Sequence, residues 1–338
     1  MKMRTRLFAA ASLGMLSLSA AVMAQPPALE PACGRACLEG YLDRYLEAML
    51  DQDVSDALFA RNIRFTENGI ELPLGNEGLW YGMSGIGGYK FYVPDIETQQ
   101  IAFIGTVREN AQNNGVNDGG GSTVAVAIRL RIADGLITEI EQLAVRPETT
   151  LGGRGGGAGA GGDGAGGGPG GRGSLSTGDR VEAMGAPHPV YRELIPARER
   201  ESREELVEAA NYYFTGLARN DGQGYYNFTD DCERFENGIQ TTETNCKLQF
   251  EDGTWFDVVS RIRDRRFVAV DVERGIVFAF AFFDHHRINW TWQLAELFRI
   301  ENGQIRRIEA VFHRAPFGIP SGWSTYERAI SEEIQSVR

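Results

Sequence analysis

The four histidines, the side chains best suited to proton transfer near neutral pH, all lie in the second half of the chain. They are His188, His285, His286 and His313. His285 directly follows Asp284, and His313 lies four residues after Glu309. On a β-strand, Glu309 and His313 would share one face. Because an imidazole beside a carboxylate can act as general base and acid, the pattern predicts a site that uses His313 with Glu309, or His285 with Asp284.

A structural interpretation of the same histidines stays open. His313 is also typical of a packed residue at a strand end, and Asp284-His285-His286 of a polar strand end or loop. Adjacent strand residues point to opposite faces, so His285 and His286 cannot ligate one metal ion without a bulge. The sequence has no Walker phosphate loop, dinucleotide fingerprint or nucleophile elbow in the required context. We therefore expect neither a metal nor a cofactor.

The elements that must position such a site occur twice. "RFTENGI" begins at Arg64 and "RFENGI" at Arg234, and an amphipathic helix is predicted ahead of each motif. Further on, "LRIADGLITEIEQLAVRP" from Leu130 aligns without a gap on "FRIENGQIRRIEAVFHRA" from Phe298. The Asp-Gly and Asn-Gly pairs within these segments are typical of tight hairpin turns. A helix followed by antiparallel strands is an α+β order, so the sequence predicts a tandem duplication of one α+β domain.

The predicted boundaries are a signal peptide at 1–24, repeats at 30–148 and 200–318, a glycine-rich linker at 150–175 and a helical tail at 321–338. Basic residues and a short apolar run at the N-terminus indicate export. The glycine tract cannot bury enough surface to order itself. Ser324 could cap a helix that has Ile334 on its apolar face. We expect a secreted or periplasmic protein with no membrane segment after signal removal.

Export makes disulfides the preferred interpretation of the four cysteines. They are Cys33, Cys37, Cys232 and Cys246. Three pairings are possible, and the local one, Cys33 with Cys37 and Cys232 with Cys246, keeps each bridge within one repeat. The net charge of −12 disfavours nucleic acid as a partner, because phosphates require a basic surface.

The plan resembles the NTF2-like superfamily, which includes SnoaL-like and ketosteroid-isomerase-like proteins. It resembles in particular an uncharacterised secreted family, through "CGRACLEGYLDRYLEAML", "RDRRFVAVDVERG" and "HRAPFGIPSGW". The resemblance implies two cone-shaped α+β barrels, each a curved antiparallel sheet around a helix. The segment "IVFAFAFF" from Ile276 is apolar on both faces, which predicts that the sister repeat covers its outer face in an intramolecular pseudo-dimer.

A cone of this kind suggests a pocket for a small-molecule ligand, with Tyr213 and Trp255 as candidates to line it. Two functions stay open. One is a cofactor-free lyase, dehydratase or isomerase that acts on a small, partly apolar molecule in the second repeat. The other is a non-catalytic module that binds a small ligand or a partner. An open cavity of about 300 to 1,000 Å³ with a histidine on its wall would favour the enzyme, and a cone filled by aromatic side chains would favour the module.

Overall fold

The computed structural model describes residues 33–110, 121–147, 175–219, 221–243, 245–252, 259–287, 289–324 and 334–335. The predicted signal peptide, the glycine-rich linker up to residue 174 and Trp255 lie outside these residues. Contacts join these residues into one compact unit.

In its described residues, the first half consists of one long helix, one short helix and a six-stranded sheet. Its elements are α1 (Arg35–Asp51), β1 (Phe59–Glu67), β2 (Ile70–Glu71), α2 (Leu79–Gly82), β3 (Met83–Asp95), β4 (Gln100–Glu109), β5 (Ser122–Ala133) and β6 (Leu136–Val145). The strands lie in the order β2-β1-β6-β5-β4-β3.

The second half repeats this arrangement. After α3 (Thr177–Ala183) and 3₁₀ turns at Pro189–Arg192 and Ala197–Glu199, its elements are α4 (Arg203–Arg219), β7 (Phe228–Glu236), β8 (Ile239–Gln240), α5 (Cys246–Glu251), β9 (Arg261–Asp271), β10 (Ile276–His285), β11 (Trp290–Glu301), β12 (Gln304–Pro316) and β13 (Ile334–Gln335). The order β13-β9-β10-β11-β12-β7-β8 matches the first sheet apart from β13. The predicted fold class, α+β with two tandem repeats of a sheet packed on a helix, is confirmed.

The sheets differ from the expectation in one respect, because they are mixed rather than wholly antiparallel. The first strand of each half pairs in parallel with its last long strand, β1 with β6 and β7 with β12. Hydrophobic periodicity could not reveal this pairing, since it reports which face of a strand is buried and not which strand lies beside it.

The repeated "ENGI" segment makes the turn that ends this parallel strand. Asn68-Gly69 and Asn237-Gly238 all have positive φ, as a tight hairpin turn between β1 and β2, or β7 and β8, requires. Each asparagine side chain also bonds twice to the last long strand of its sheet. Asn68 Oδ1 accepts from Ala144 N at 2.8 Å, and Asn237 Oδ1 accepts from Phe312 N at 3.0 Å. The repeated motif thereby fastens the first strand of each sheet to the last.

The two long helices begin differently but pack alike. At α4 a capping box joins Ser202 and Glu205, whose backbone N–H groups bond to each other's side chains. At α1 the Cys33–Cys37 disulfide spans the first turn, with a Cα separation of 5.4 Å. Cys232 and Cys246 lie at a Cα separation of 5.5 Å, so both cysteine pairs are at disulfide distance, as predicted. Each helix buries its apolar face against one side of its own sheet.

The outer faces of the two sheets share a third apolar cluster. Phe278 and Phe280 of β10 meet Phe91 and Ile104 of the first half, while Phe283 points into the second cone. Strand β10 is therefore apolar on both faces because both faces are covered.

Two reciprocal ion pairs flank this shared cluster. Arg35 at the start of α1 lies 2.7 Å from Asp271 at the end of β9, and Arg203 at the start of α4 lies 2.6 Å from Asp95 at the end of β3. Both aspartates are buried. The two halves thus make the same contact with each other in both directions.

The chain after β12 returns to the first half. Trp323 donates from Nε1 to Thr66 at 2.7 Å, and its ring lies under the guanidinium of Arg129 at 4.5 Å. The predicted helical tail is absent at both described parts of this segment. Residues 321–324 have no helical structure, and Ile334 pairs in parallel with β9. Residues 325–333 lie outside the described part of the chain.

Candidate functional site

A small cavity of about 20 Å³ lies in the cone of the second half. Its wall is mostly apolar and includes Phe283, Trp292 and Phe312. Three charged residues also line it, namely Arg234, Glu236 and Glu296. Such a mixture of an apolar wall and a few convergent polar groups is typical of small-molecule sites.

The alternation of strand residues explains how these side chains converge. On β11, Trp292, Leu294 and Glu296 share the face that looks into the cone. On β7, Arg234 and Glu236 are likewise two residues apart and both line the cavity. The neighbouring residues on β11, Ala295 and Leu297, belong to the cluster between the sheets.

Glu296 has the most perturbed chemistry in this cavity. Its side chain is only 1 % exposed, and Oε2 has no hydrogen-bond partner among the described residues. Burial, together with the nearby charge of Glu236, raises the pKa of Glu296 to about 8, although a hydrogen bond with Tyr213 and the charge of Arg234 oppose the rise. Glu296 is therefore mostly protonated at neutral pH and able to donate a proton.

Arg234 and Glu236 form an ion pair beside it. Arg234 Nε lies 3.3 Å from Glu236 Oε1, and the Arg234 side chain is 1 % exposed. The positive guanidinium and the negative carboxylate cancel, so the neutral form of Glu296 faces a cavity with little net charge.

Among the residues that the structure describes, the first cone has no equivalent of this arrangement. The strand registers align Glu67 with Glu236. Glu67 pairs with Gln142, Glu236 pairs with Ala310, and Gln142 and Ala310 correspond in the hairpin alignment. By the same correspondence Phe65 occupies the position of Arg234. Glu67 is saturated, because it accepts from Leu79 N at 2.9 Å, Gln142 Nε2 at 2.8 Å and Arg146 Nη2 at 2.7 Å.

One further substitution adds to the difference between the cones. The hairpin alignment places Ile128 at the position of Glu296. The fully buried ring of Trp80 also packs inside the first cone, with Nε1 bonded to Tyr45 at 3.3 Å. The first cone is thus a filled and satisfied core.

His313 and Glu309, predicted to form a pair inside the cone, lie on the opposite face of the sheet. Glu309 accepts a hydrogen bond of 2.7 Å from Tyr89 of the first half, and burial raises its pKa. His313 Nε2 lies 3.2 Å from Gln293 Oε1, and burial lowers its pKa to about 4, with a further contribution from Arg146. The two residues contact different partners at the contact between the halves.

Asp284 and His285 are also not brought together, because successive strand residues point to opposite faces. Although burial acts to raise the pKa of Asp284, hydrogen bonds from Arg263, Thr291 and Arg261 lower it. His285 is buried on the cone side, with its ring 4.2 Å from that of Trp292. It therefore lies behind one wall of the cavity rather than on its surface.

Of the two predicted pocket residues, Tyr213 is buried in the second half and hydrogen-bonds Glu296 but does not line the cavity, whereas Trp255 lies outside the described residues. Sequence reasoning missed Arg234, Glu236 and Glu296. A signal was present for the last of these, because Glu296 is a charged residue at an inward-facing position of the otherwise apolar run "LAELF".

Within the described part of the chain, no group of three or more histidine, cysteine, aspartate or glutamate residues is placed to hold a metal ion. No helix in that part is long and apolar enough to cross a membrane.

Comparison with protein families gives one match. Residues 199–312 match the model described as "Domain of unknown function (DUF8021)", which spans the second cone. No curated protein shows significant similarity to the chain.

Several solved structures of single domains resemble parts of the chain. A protein of unknown function with a cystatin-like fold from Methylobium petroleophilum PM1 is 14% identical, with a TM-score of 0.28, and the match covers 35% of this chain and 80% of that one. An NTF-2 like protein of unknown function from Burkholderia xenovorans LB400 is 14% identical, with a TM-score of 0.27, over 36% and 95% of the two chains. A hypothetical protein with a ketosteroid isomerase-like fold from Catenulispora acidiphila DSM 44928, in complex with trimethylamine, is 18% identical, with a TM-score of 0.24, over 36% and 99%.

Proposed function

We propose that the second half of the chain binds a small, partly apolar molecule in its cone, with protonated Glu296 as the hydrogen-bond donor to that molecule. The observation that carries this proposal is the buried Glu296 carboxyl, which lines the cavity and has one oxygen without a partner among the described residues. A buried polar group without a partner costs about 1 to 3 kcal/mol. A ligand oxygen that accepts from Glu296 would offset this cost.

The size of the cavity limits what binds without rearrangement. A volume of about 20 Å³ has room for about one water molecule. A larger ligand therefore requires side chains of the wall, such as Trp292 or Phe312, to rotate. The aromatic filling of the cone favours a binding module over an enzyme with a preformed open pocket, and no histidine lines the cavity.

Calorimetry with two probes of similar shape tests the proposal. Cyclohexanone offers an acceptor oxygen to Glu296, whereas methylcyclohexane does not. We expect the preference for cyclohexanone over methylcyclohexane to be about tenfold larger in the wild-type protein than in a Glu296→Leu variant, since this comparison cancels the different costs of taking the two probes out of water. The same relative binding of the two probes by both proteins would refute the role of Glu296.

A second candidate function is cofactor-free proton-transfer catalysis by a lyase, dehydratase or isomerase. The observation that favours it is the pKa of about 8 for Glu296, since a group with a pKa near the working pH makes an efficient acid or base, with a contribution of about 10²- to 10⁴-fold. A catalytic role for His313, Glu309, His285 or Asp284 stays a prediction. Hydrogen–deuterium exchange at the carbon next to the carbonyl of bound cyclohexanone, followed by NMR, distinguishes an enzyme from a binding module.

We further infer that the protein is exported and that its two halves act as an intramolecular pseudo-dimer, with domains near 30–148 and 200–318. The N-terminal sequence and the disulfides support export. The reciprocal ion pairs of Arg35 and Arg203 support the pseudo-dimer, because a two-fold contact makes each interaction twice. N-terminal sequencing of the exported protein should show a mature chain that begins after residue 24. An intact N-terminus there would contradict the signal peptide.

A further inference from the structure

A second and larger cavity lies on the surface of the second half, away from the cone. We call it the Arg299 groove; it is formed by segment 193–199 on one side and by the β11–β12 hairpin at 299–302 on the other. Its volume is about 190 Å³, which is enough for a molecule of several non-hydrogen atoms.

The segment that forms one wall is anchored to the sheet. Ile195 N donates to Glu273 O at 2.9 Å, and Arg200 Nε donates to Ile195 O at 2.9 Å. Gly275 lies against this segment and the neighbouring strand, since a Cβ there would lie 2.7 Å from the Ile195 side chain and closer still to Ile300 O. The groove is therefore held open by the fold and does not depend on a loose loop.

The floor of the groove carries a buried cation that is only partly satisfied. Arg299 is 2 % exposed, and its Nη2 lies 2.8 Å from Glu301 Oε1. Its Nε and Nη1 have no hydrogen-bond partner among the described residues. Hydrogen bonds from charged donors are among the strong ones, so an acceptor that reaches these groups gains affinity. Both groups are covered, and a small rotation of the guanidinium toward the cavity would present them.

The rim of the groove has the opposite charge. Glu193 and Glu199 are exposed, and their contacts with Arg306 at 3.9 Å and Arg198 at 3.0 Å are surface ion pairs, which contribute little stability. With Glu301, three carboxylates and one guanidinium line the groove. This balance repels a dianion such as phosphate and attracts an ammonium group.

Apolar contact is also available. Leu194 is 61% exposed, and Ile195 and Pro196 line the same wall. An exposed leucine at the wall of a groove offers surface to an aliphatic group.

We propose that the Arg299 groove binds an α-amino acid with an apolar side chain. The carboxylate of the ligand accepts from Arg299, its ammonium group lies among the rim glutamates, and its side chain packs on Leu194. This site is independent of the cone, and its test does not depend on the role of Glu296.

Calorimetric titration of the mature protein with L-leucine tests the proposal against two analogues. One is 4-methylpentanoate, which lacks the ammonium group, and the other is 3-methylbutylamine, which lacks the carboxylate. We expect L-leucine to bind with a Kd in the millimolar range or better, and each analogue to bind at least about tenfold more weakly.

Three variants connect the binding to the groove. Arg299→Gln should abolish leucine binding, while Arg131→Gln, the same change at the corresponding position of the first half, should leave it unchanged. Because Arg299 is buried and its variant could fail to fold, a Glu193→Gln/Glu199→Gln variant with surface changes provides a second test. It should weaken the binding of leucine severalfold without weakening that of 4-methylpentanoate.

Several results would overturn the proposal. Absence of leucine binding up to about 10 mM excludes the site, and equal binding to a folded Arg299→Gln variant places it elsewhere. Binding of 4-methylpentanoate as tight as that of leucine excludes the role of the rim carboxylates. Unchanged leucine binding by the Glu193→Gln/Glu199→Gln variant also excludes the role of the rim carboxylates, whether or not Arg299→Gln folds.

Discussion

Replacing Glu296 by glutamine should change how the stability of the protein depends on pH. The carboxyl has a pKa of about 8 in the folded protein and 4.5 as its ordinary value. Between these values the folded state binds more protons than the unfolded chain, so the free energy of unfolding falls as pH rises. The contribution of Glu296 is fully present below pH 4.5 and is lost as pH rises through about 8.

The magnitude follows from the same two values. A rise from 4.5 to about 8, at about 1.4 kcal/mol for each pH unit, corresponds to roughly 5 kcal/mol as an upper limit. Glutamine has nearly the same shape and cannot ionise. The free energy of unfolding of Glu296→Gln, relative to the wild-type protein, should therefore increase by roughly 3 to 5 kcal/mol between pH 5 and pH 8.

Urea unfolding at closely spaced pH values measures this difference. Glu309, whose pKa is also raised by burial, is present in both proteins, so its contribution cancels in the comparison. Val259→Ala is the matched control, because it truncates an apolar residue of the same cavity and should lower stability by roughly 1 to 3 kcal/mol at every pH. Parallel pH profiles for the wild-type protein and Glu296→Gln would refute the assignment of a neutral Glu296.

Three further outcomes are expected. Arg203→Met should destabilise the protein by about 3 to 5 kcal/mol, because it leaves the buried carboxylate of Asp95 without its cation; a double-mutant cycle with Asp95→Asn measures the coupling, and additive effects would contradict it. His313→Gln should reduce the loss of stability on acidification from pH 6.5 toward about 4, since a histidine whose pKa is lowered to about 4 is less easily protonated in the folded state than in the unfolded chain. Thermal unfolding across this pH range measures the effect, and the same dependence of melting temperature on pH in both proteins would count against it. Replacing both Cys232 and Cys246 by alanine should lower the free energy of unfolding by about 3 kcal/mol, from the loop of about 15 residues that the bridge closes; denaturant unfolding without reductant measures it, and equal stability would exclude a stabilising disulfide.

The fold was more predictable than the site. The aligned hairpins and the helix patterns predicted both α+β halves, because turn chemistry and hydrophobic periodicity are local properties of the sequence. The parallel pairing of β1 with β6 depends on contacts between distant segments, and no local pattern carries that information.

The positions of the predicted site residues were harder to foresee for a related reason. All four histidines lie in the second half, but His313 and Glu309 lie on the sheet face that meets the first half, and their role stays a prediction. Strand alternation shows that two residues share a face; it does not show whether that face looks into the cone when both faces are buried. On such a strand the informative residue was Glu296, a single carboxyl among apolar neighbours.

Glu296 of the second cone corresponds to Ile128 of the first. This difference between two halves of one chain has a consequence for how such a protein can evolve. In an assembly of two identical chains, every mutation appears in both subunits, so a buried carboxyl destabilises the assembly twice. When both cones lie on one chain, a mutation affects only one of them. The first cone, filled around Trp80 and with Glu67 fully bonded, can supply rigidity and a partner surface, while the second carries an unsatisfied acid that an isolated domain of its size would tolerate less well. Gene duplication with fusion thus allows one copy to vary its interior under the protection of the other.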